Sequence, residues 1–333
     1  MPQRPHAAIV GIAGPALGAE EIALFRAAPP LGAILFARNI VDPDQLRALT
    51  ADLRDLLGAE APILVDQEGG RVARLRPPHW PGFAPAAAFS GGPAEAARAN
   101  AALLGLACTG VGFDVVCAPV LDLRLPGAHD IIGDRSFGAD PAEVARLGRA
   151  TVEGLQQAGC IPVIKHIPGH GRALADSHLE LPRVSAGTEE LATDCAPFAA
   201  LAEAGAWAMT AHILYEALDA ERPATLSPRI IAEVIRSAIG FDGVLVSDDL
   251  CMKALRGEPG ALAAASIGAG CDLVLHCNGV LAETAAALAG CPLLSEDAES
   301  RLADARAATQ ARRRPLDPER LVAARDAWLV PAA

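Results

Sequence analysis

Aromatic residues are scarce in this sequence, since phenylalanine, tryptophan and tyrosine together make up 4% of its 333 residues. Hydrophobic residues nevertheless make up 52% of the chain, and many of them are alanine, leucine and valine. A core of this composition must be packed with small aliphatic side chains. With 20% charged residues and no low-complexity tract, the composition excludes a disordered chain and indicates one large domain or two smaller ones.

Positive charge is also in short supply. The chain has 28 lysine and arginine residues against 40 aspartate and glutamate residues, which gives a net charge of −12. This balance argues against nucleic acid or an anionic membrane surface as the main partner, and we interpret the one basic cluster, Arg312–Arg314, as a solvated helix end. We expect a small-molecule partner, no nucleic-acid or membrane partner, and a monomer.

Cysteine pairs and long apolar runs are missing as well. None of the eight cysteines belongs to a C-x-x-C pair, and their single placement in apolar runs is typical of buried thiols in a reducing compartment. The N-terminus has no basic region followed by a long apolar stretch, and no apolar run reaches the roughly 18 residues of a transmembrane helix. We therefore expect a soluble cytoplasmic protein.

The sequence does contain a repeated alternation of strand and helix patterns. Eight short apolar runs, typical of parallel strands covered on both faces, begin at Ala7, Gly32, Pro62, Phe113, Ile161, Ala206, Gly243 and Cys271. Helical segments with N-terminal capping residues begin at Asp42, Asp140, Thr188 and Ser227, and the last three end at Gly159, Gly205 and Gly240.

This alternation predicts the α/β class and a single (β/α)8 barrel of the TIM type that spans residues 1–333. The helical tail over residues 295–330 is expected to pack on the outside of the barrel. A doubly wound Rossmann sheet is the alternative, but it should carry a G-x-G-x-x-G turn after its first strand. The stretch "GIAGPALG" from Gly11 has a proline and the wrong glycine spacing.

Polar residues collect at the ends of six of the predicted strands. They are Asp66, Gln67, Glu68, Arg71 and Arg74 after the third run, then Asp122, Lys165, His166, His212, Ser247, Asp248, Asp249, His276 and Asn278. One such end is explained by a helix cap or a structural salt bridge. Six ends at the same face of a closed barrel indicate an active site, because active sites of barrels lie at the C-terminal ends of the strands and buried charges are costly.

The loop after Lys165 is unusually long for a compact domain, which is typical of functional loops. Within it, Asp176 and His178 are two residues apart. An aspartate beside a histidine can fix its tautomer and leave the other ring nitrogen to transfer a proton, although a simple Asx-turn explains the same spacing. A zinc site is disfavoured because His166 and His170 bracket a Pro-Gly loop rather than a helical turn. A Schiff base on Lys165 is a further alternative.

Four stretches together resemble glycoside hydrolase family 3, and in particular its bacterial β-N-acetylglucosaminidase branch, the peptidoglycan-recycling enzymes. They are "VDQEGGRVARL" from Val65, "IGDRSF" from Ile132, "KHIPGHGRALADSHLELP" from Lys165 and "FDGVLVSDDLCM" from Phe241. The resemblance implies a (β/α)8 barrel, no cofactor and no metal. It also implies retaining hydrolysis of terminal β-linked N-acetylglucosamine from peptidoglycan fragments.

The resemblance also implies roles for particular residues. It makes Asp248 the nucleophile, His178 the general acid and base, and Asp176 the partner of His178. The residues implied to bind the sugar are Asp66, Arg74, Arg135, Lys165 and His166, while Asp249, Glu68, Arg71, His170 and His212 are either supporting or structural residues. A family 3 β-glucosidase or β-xylosidase, a β-N-acetylglucosaminide phosphorylase and a sugar-binding protein without activity stay open.

Overall fold

The computed structural model describes residues 4–127, 129–177 and 179–329. Within them, eight parallel strands close into a barrel, in which each strand pairs with the next barrel strand along the chain and the last pairs with the first. The barrel strands are β1 (His6–Gly11), β2 (Pro30–Leu35), β3 (Ile63–Val65), β4 (Val115–Val116), β5 (Ile161–Ile167), β7 (Trp207–Thr210), β9 (Leu245–Asp249) and β10 (Leu273–His276). All eight predicted strands are therefore present, and the barrel fold is confirmed.

Helical segments follow every strand of the barrel. They are α1 (Ala19–Ala27), α2 (Pro43–Leu57), α3 (Ala94–Thr109), α4 (Pro141–Ala158), α5 (Thr188–Ala200), a π-helical segment (Ile230–Ala238), α6 (Pro259–Ala269) and α7 (Leu281–Gly290). Single helical turns of the 3-10 type cover Ala37–Asn39, Ala86–Phe89, Gly133–Arg135 and Ala224–Leu226.

Three of the four predicted helix starts have the expected side-chain cap, whereas Thr188 is the first residue of α5 and its N-cap is Gly187, whose N–H donates to the Glu190 carboxylate at 3.1 Å. The Asp42 carboxylate accepts hydrogen bonds from the backbone N–H groups of Asp44 and Gln45, both at 2.9 Å, so it satisfies donors that the first turn leaves unpaired. Asp140 accepts from Ala142 N–H at 3.2 Å in the same way. The hydroxyl of Ser227 accepts from Ile230 N–H at 3.1 Å.

The end of α5 was predicted wrongly. The helix ends at Ala200 rather than at Gly205, because residues 201–204 form a succession of tighter turns. The N–H of Leu201 bonds to the carbonyl of Phe198, and the N–H of Ala204 bonds to that of Leu201. Gly205, with φ +71°, lies beyond these turns and leads directly into β7.

A small second sheet is an addition that the strand pattern did not indicate. Strands β6 (Arg183–Val184) and β8 (Leu214–Tyr215) pair in parallel outside the barrel. They join the end of the long loop after β5 to the loop after β7. The long loop is therefore fastened at its C-terminal end.

Two further helices follow the barrel, α8 (Glu296–Arg312) and α9 (Pro318–Leu329). The side chains of Ala298 and Ala305 on α8 are buried in the main hydrophobic core, and Arg301 pairs with Asp272 before β10 at 2.8 Å. Helix α9 packs against α3. No helix of the described residues is long and apolar enough to cross a membrane.

Candidate active site

A cleft of about 880 Å³ opens at the C-terminal end of the barrel. Its walls are formed by side chains of β2, β5, β7, β9 and β10 and of the loops that follow β2, β3, β4, β5, β9 and β10. The predicted site residues that line it are Asp66, Arg74, Arg135, Lys165, His166 and Asp248, joined by Glu68, Arg71, His170 and Asp249. The structure thus brings these predicted residues to one cleft, whereas the predicted Asp176 is not among the residues that line it.

The chain after β3 folds back on itself and carries Asp66, Glu68 and Arg74 to the cleft. Because side chains alternate in extended backbone, Gln67 points away from its neighbours and is fully buried. Its amide oxygen accepts from the N–H groups of Arg74 and Leu75 at 2.7 and 2.9 Å. This turn returns Arg74 to Asp66, where Nη2 lies 3.2 Å from Oδ2.

Lys165 at the end of β5 lies between two carboxylates. Its Nζ is 3.0 Å from Asp66 Oδ1 and 2.7 Å from Glu68 Oε1. Burial alone would lower the pKa of Lys165, but these two carboxylates raise it above its ordinary value. Lys165 therefore stays an ammonium, which argues against the Schiff-base alternative, since that chemistry needs a neutral amine.

Glu68 is the centre of this ion-pair network. Its carboxylate accepts from Arg135 Nε at 2.8 Å and Nη2 at 2.9 Å in addition to Lys165. Burial would raise the pKa of Glu68, but Lys165 and Arg135 lower it far below its ordinary value. Glu68 is thus a structural anion that holds two predicted sugar-binding cations in place.

The His166 ring and backbone are held by Asp122, which lies in the segment after β4. Its Nδ1 lies 2.6 Å from Asp122 Oδ2, and its backbone N–H donates to Oδ1 at 3.1 Å. Burial would raise the pKa of Asp122, but the imidazole of His166 and the backbone N–H of His170 lower it. Asp122 is therefore an anion with no exposed surface.

Asp248 lies at the end of β9, half-buried in the same cleft. Its Oδ1 accepts from the backbone N–H of Asp249 at 2.8 Å. Burial would raise the pKa of Asp248, but the imidazoles of His212 and His166, this hydrogen bond and the Lys165 ammonium lower it below its ordinary value. Asp248 is thus an ionised carboxylate on a rigid strand end, as a nucleophile requires.

Three of the residues for which the sequence left a supporting or a purely structural role open, Asp249, His212 and Arg71, bond to the backbone and side chains around the cleft. Asp249 Oδ1 accepts from the N–H groups of Cys251 and Cys277, both at 3.0 Å, and so ties the end of β9 to that of β10. The ring of His212 bonds Thr225 Oγ1 at 2.7 Å and the carbonyl of Asp249 at 3.0 Å. Arg71 Nη2 donates to the carbonyls of residues 130–132 and thereby fastens the loop that carries Arg135.

The loop after β5 carries the predicted acid and base. His178 lies outside the described residues, so its pairing with Asp176 stays a prediction. The N-terminal part of the loop packs closely against the segment after β4. A Cβ on Gly171 would collide with the carbonyl of Leu123, so this close approach requires glycine. The carbonyl of Ser177 accepts from Ala254 N–H at 3.1 Å, in the loop that follows Asp248.

The apolar residues that line the cleft were not predicted from the sequence. Phe36 lines it and packs under two guanidinium groups, with the Cζ of Arg38 and of Arg74 at 4.9 and 5.5 Å from its ring centroid. Met209, Met252, Leu275 and Cys277 also line the cleft. Only the position of these residues at or after strand ends could have marked them, since their types are equally typical of a core.

Comparison with known proteins places this geometry in a family. The model of the glycosyl hydrolase family 3 N-terminal domain matches residues 19–305. A beta-hexosaminidase of Alkalilimnicola ehrlichii is 43% identical over 285 residues, which cover 81% of this chain and 80% of the relative.

Solved structures agree with the family match over nearly the whole chain. Native NagZ from Neisseria gonorrhoeae superposes with a TM-score of 0.87 at 32% identity and covers 98% of this chain and 99% of its own. The complex of the same protein with N-trifluoroacetyl-D-glucosamine has a TM-score of 0.86 over 98% and 99% of the two chains at 32% identity. The family model matches most of the chain, and the similar curated proteins are beta-hexosaminidases. This chain therefore belongs to glycoside hydrolase family 3 and is a β-N-acetylhexosaminidase.

Proposed function

We propose that this enzyme removes terminal β-linked N-acetylglucosamine from peptidoglycan fragments with retention of configuration, through a covalent intermediate on Asp248. His178 acts as general acid and then as general base, and Asp176 orients it. The observation that carries the proposal is the position of Asp248. It is an ionised carboxylate in the cleft that also holds the network of Asp66, Lys165, Glu68 and Arg135.

In the first half-reaction, a carboxylate oxygen of Asp248 attacks the anomeric carbon while the bond from that carbon to the leaving oxygen breaks. His178 donates the proton that the leaving oxygen takes up. In the second half-reaction, His178 removes a proton from water, the water oxygen attacks the anomeric carbon, and the ester bond to Asp248 breaks. Two inversions give overall retention.

The sugar is held by the residues around the Glu68 centre. Asp66 offers carboxylate oxygens as acceptors for sugar hydroxyls, while Arg74, Arg135 and Lys165 offer charged donors. Because the carboxylates and cations already pair with one another, the site is preorganised before the sugar enters. Lys165 also lies close enough to lower the pKa of Asp248, which keeps the nucleophile ionised.

A histidine acid differs from the pair of carboxylates used by most glycosidases. An imidazole with a reference pKa of about 6.5 can donate and accept a proton near neutral pH without a large shift. A carboxylic acid in the same role needs its pKa raised by burial. The proposal is supported by Ser177, the residue before His178 in the sequence, which bonds Ala254 in the loop after β9 and lines the same cleft as Asp248.

The substrate is proposed from the resemblance to the peptidoglycan-recycling branch of the family. The complex of the gonococcal relative with N-trifluoroacetyl-D-glucosamine supports a 2-acylamino sugar at this site. We propose N-acetylglucosamine linked to 1,6-anhydro-N-acetylmuramic acid, with or without a peptide, as the substrate. The cytoplasmic location and the monomeric state stay predictions.

The test compares 4-nitrophenyl N-acetyl-β-glucosaminide with 4-nitrophenyl β-glucoside, using the wild type and Asp248→Asn in buffer without phosphate. We expect release of 4-nitrophenol from the N-acetyl sugar and a loss of more than about a thousandfold in the variant. Azide added to Asp248→Ala should restore turnover and yield an α-glycosyl azide, because the anion replaces the missing carboxylate at the anomeric carbon.

The other outcomes separate the remaining alternatives. Equal activity on the glucoside would favour a β-glucosidase, and a sugar 1-phosphate formed on addition of phosphate would favour a phosphorylase. Asp248→Asn with wild-type activity would exclude Asp248 as the nucleophile. Release of N-acetylglucosamine from its disaccharide with 1,6-anhydro-N-acetylmuramic acid tests the natural substrate.

A further inference from the structure

Asp122 is a buried carboxylate whose surroundings are unusual for this protein. It lies in the segment after β4 and has no exposed surface. Among the described residues its one ion-pair partner is the imidazole of His166, without a lysine or arginine at salt-bridge distance. A buried anion without a strong cation is costly, so a fold that retains it must use the charge for something other than packing.

Among the described residues, the hydrogen bonds of the Asp122 carboxylate converge on one short segment of β5 and its following loop. Oδ1 accepts from the backbone N–H of His166 at 3.1 Å and of His170 at 2.7 Å, and Oδ2 lies 2.6 Å from His166 Nδ1. An ionised carboxylate only accepts hydrogen bonds. Nδ1 of His166 must therefore carry a hydrogen, which assigns the tautomer of the ring.

We propose that Asp122 is a positioning residue for the glycosidase reaction. It fixes His166 as the Nδ1–H form and leaves Nε2 as the ring nitrogen that serves the sugar in the cleft. The two backbone hydrogen bonds hold the ends of the segment from His166 to His170, so the ring and its peptide are oriented by the same carboxylate. This inference rests on the proposed role of His166 in sugar binding.

The neighbouring histidine does not compete for this role. The rings of His166 and His170 pack edge to face with centroids 5.5 Å apart. Burial and the proximity of His166 lower the pKa of His170 to about 4, so it is neutral at neutral pH. His170 Nε2 lies 3.4 Å from Ser177 Oγ, and the Asp122 carboxylate accepts from the backbone N–H of His170 rather than from its ring.

The test replaces Asp122 with its uncharged isostere. In Asp122→Asn the amide oxygen still accepts from both backbone N–H groups, but the amide nitrogen faces His166 Nδ1 as a donor. The ring proton should then move to Nε2, which 15N spectra of the imidazole report directly. By analogy with other residues that orient a histidine, we expect kcat/KM to fall about 10–100-fold, with weaker binding of N-acetylglucosamine.

Asp272 provides a matched control. It is also a buried aspartate that accepts a backbone N–H, from Leu245 at 2.8 Å, but it pairs with Arg236 and Arg301 away from the cleft. Asp272→Asn should lower Tm, because it weakens a buried ion pair, and leave kcat/KM and the His166 spectrum unchanged. A loss of kcat/KM equal to that of Asp122→Asn would show that any buried aspartate has this effect and would overturn the inference.

A double-mutant cycle separates positioning from general structural support. If Asp122 acts through His166, Asp122→Asn should cause no further loss of kcat/KM in a His166→Ala background. Fully additive losses would overturn the inference. Wild-type activity of His166→Ala would instead refute the proposed sugar-binding role of His166. If Asp122→Asn does not fold, the 15N spectrum of the wild type decides, since an Nε2–H tautomer there contradicts the inference.

Discussion

Glu68 and Arg135 form a two-pronged ion pair, with both Glu68 oxygens 2.8–2.9 Å from the guanidinium nitrogens, and the same carboxylate meets Lys165 at 2.7 Å. The side chain of Glu68 is 7% exposed and that of Lys165 is 3% exposed. One acidic residue therefore positions two predicted sugar-binding cations, one from β5 and one from the loop after β4. The arrangement explains why the site needs Glu68 even if it never contacts the substrate.

Replacing this carboxylate should cost both stability and activity. In Glu68→Gln, two buried cations lose their shared anion, so we expect the free energy of unfolding to fall by about 3 kcal/mol and kcat/KM to fall as Lys165 and Arg135 shift. Urea unfolding and steady-state kinetics measure the two effects. Glu143→Gln, which breaks a more exposed pair with Arg146 on α4, should cost less than about 1 kcal/mol.

The lowered pKa of Glu68 also predicts how the difference in free energy of unfolding between the wild type and Glu68→Gln depends on pH. A carboxyl with a lowered pKa in the folded state stabilises fully above its unfolded pKa of about 4.3. The stability difference between wild type and Glu68→Gln should thus be constant above that pH and shrink as the pH falls below it. A difference that grows on acidification would contradict the assignment of Glu68 as the anionic centre.

His170 should make the protein less stable in mild acid. Its pKa is lowered to about 4 by burial and by His166, whereas an unfolded histidine titrates near 6.5. Between these values the unfolded state binds a proton that the folded state does not, so stability falls by up to about 1.4 kcal/mol per pH unit as pH decreases. Urea unfolding across this range should show a smaller slope for His170→Gln, which cannot titrate.

The exposed His79 serves as the control for that experiment. His79→Gln removes a histidine from the surface, and its slope of stability against pH is measured beside that of His170→Gln. An unchanged slope in His170→Gln would mean that His170 is accessible to protons in the folded state.

The barrel could be predicted because each strand and most helix ends have a local cause in the sequence. Asp42 and Asp140 cap their helices through their own side chains, and the strands are apolar throughout because both faces are covered. The end of α5 was predicted wrongly because the sequence of the turns after Ala200 still has a helical pattern. Strands β6 and β8 were not predicted because a strand of two residues is too short to show an alternation of apolar and polar residues.

The site was predictable where charge stands at a strand end, as with Asp66, Lys165 and Asp248. The partners of those charges were not, since Glu68 and Asp122 reach their partners through folding of distant segments. Glu68 and Arg135 are 67 positions apart, and Asp122 and His166 are 44 apart. Sequence spacing carries no signal for such pairs, so the hydrogen-bond partners of the predicted site residues had to come from the structure.

Activity should not depend on a metal ion. The cations of the site, Lys165 and Arg135, already supply the positive charge that a metal would bring to a sugar site, and their pKa values are raised. Among the residues that the structure describes, no group of three histidine, cysteine, aspartate or glutamate side chains could hold a metal. Dialysis against EDTA should leave kcat/KM unchanged. Inactivation that added zinc reverses would show a metal requirement.

The acid role proposed for His178 predicts a dependence on the leaving group. An anhydromuramoyl leaving group needs a proton as the glycosidic bond breaks, whereas 4-nitrophenolate leaves without one. In His178→Ala, kcat/KM for the disaccharide should therefore fall about 10²–10⁴-fold, the usual contribution of a general acid. The loss for the 4-nitrophenyl glycoside should be much smaller, because kcat/KM reports the glycosylation step, in which this leaving group needs no acid.

Asp248→Asn, measured beside His178→Ala, should lose both activities, since the nucleophile acts on every substrate. Equal losses on both substrates in His178→Ala would rule out the acid role and leave His178 as a structural or sugar-binding residue.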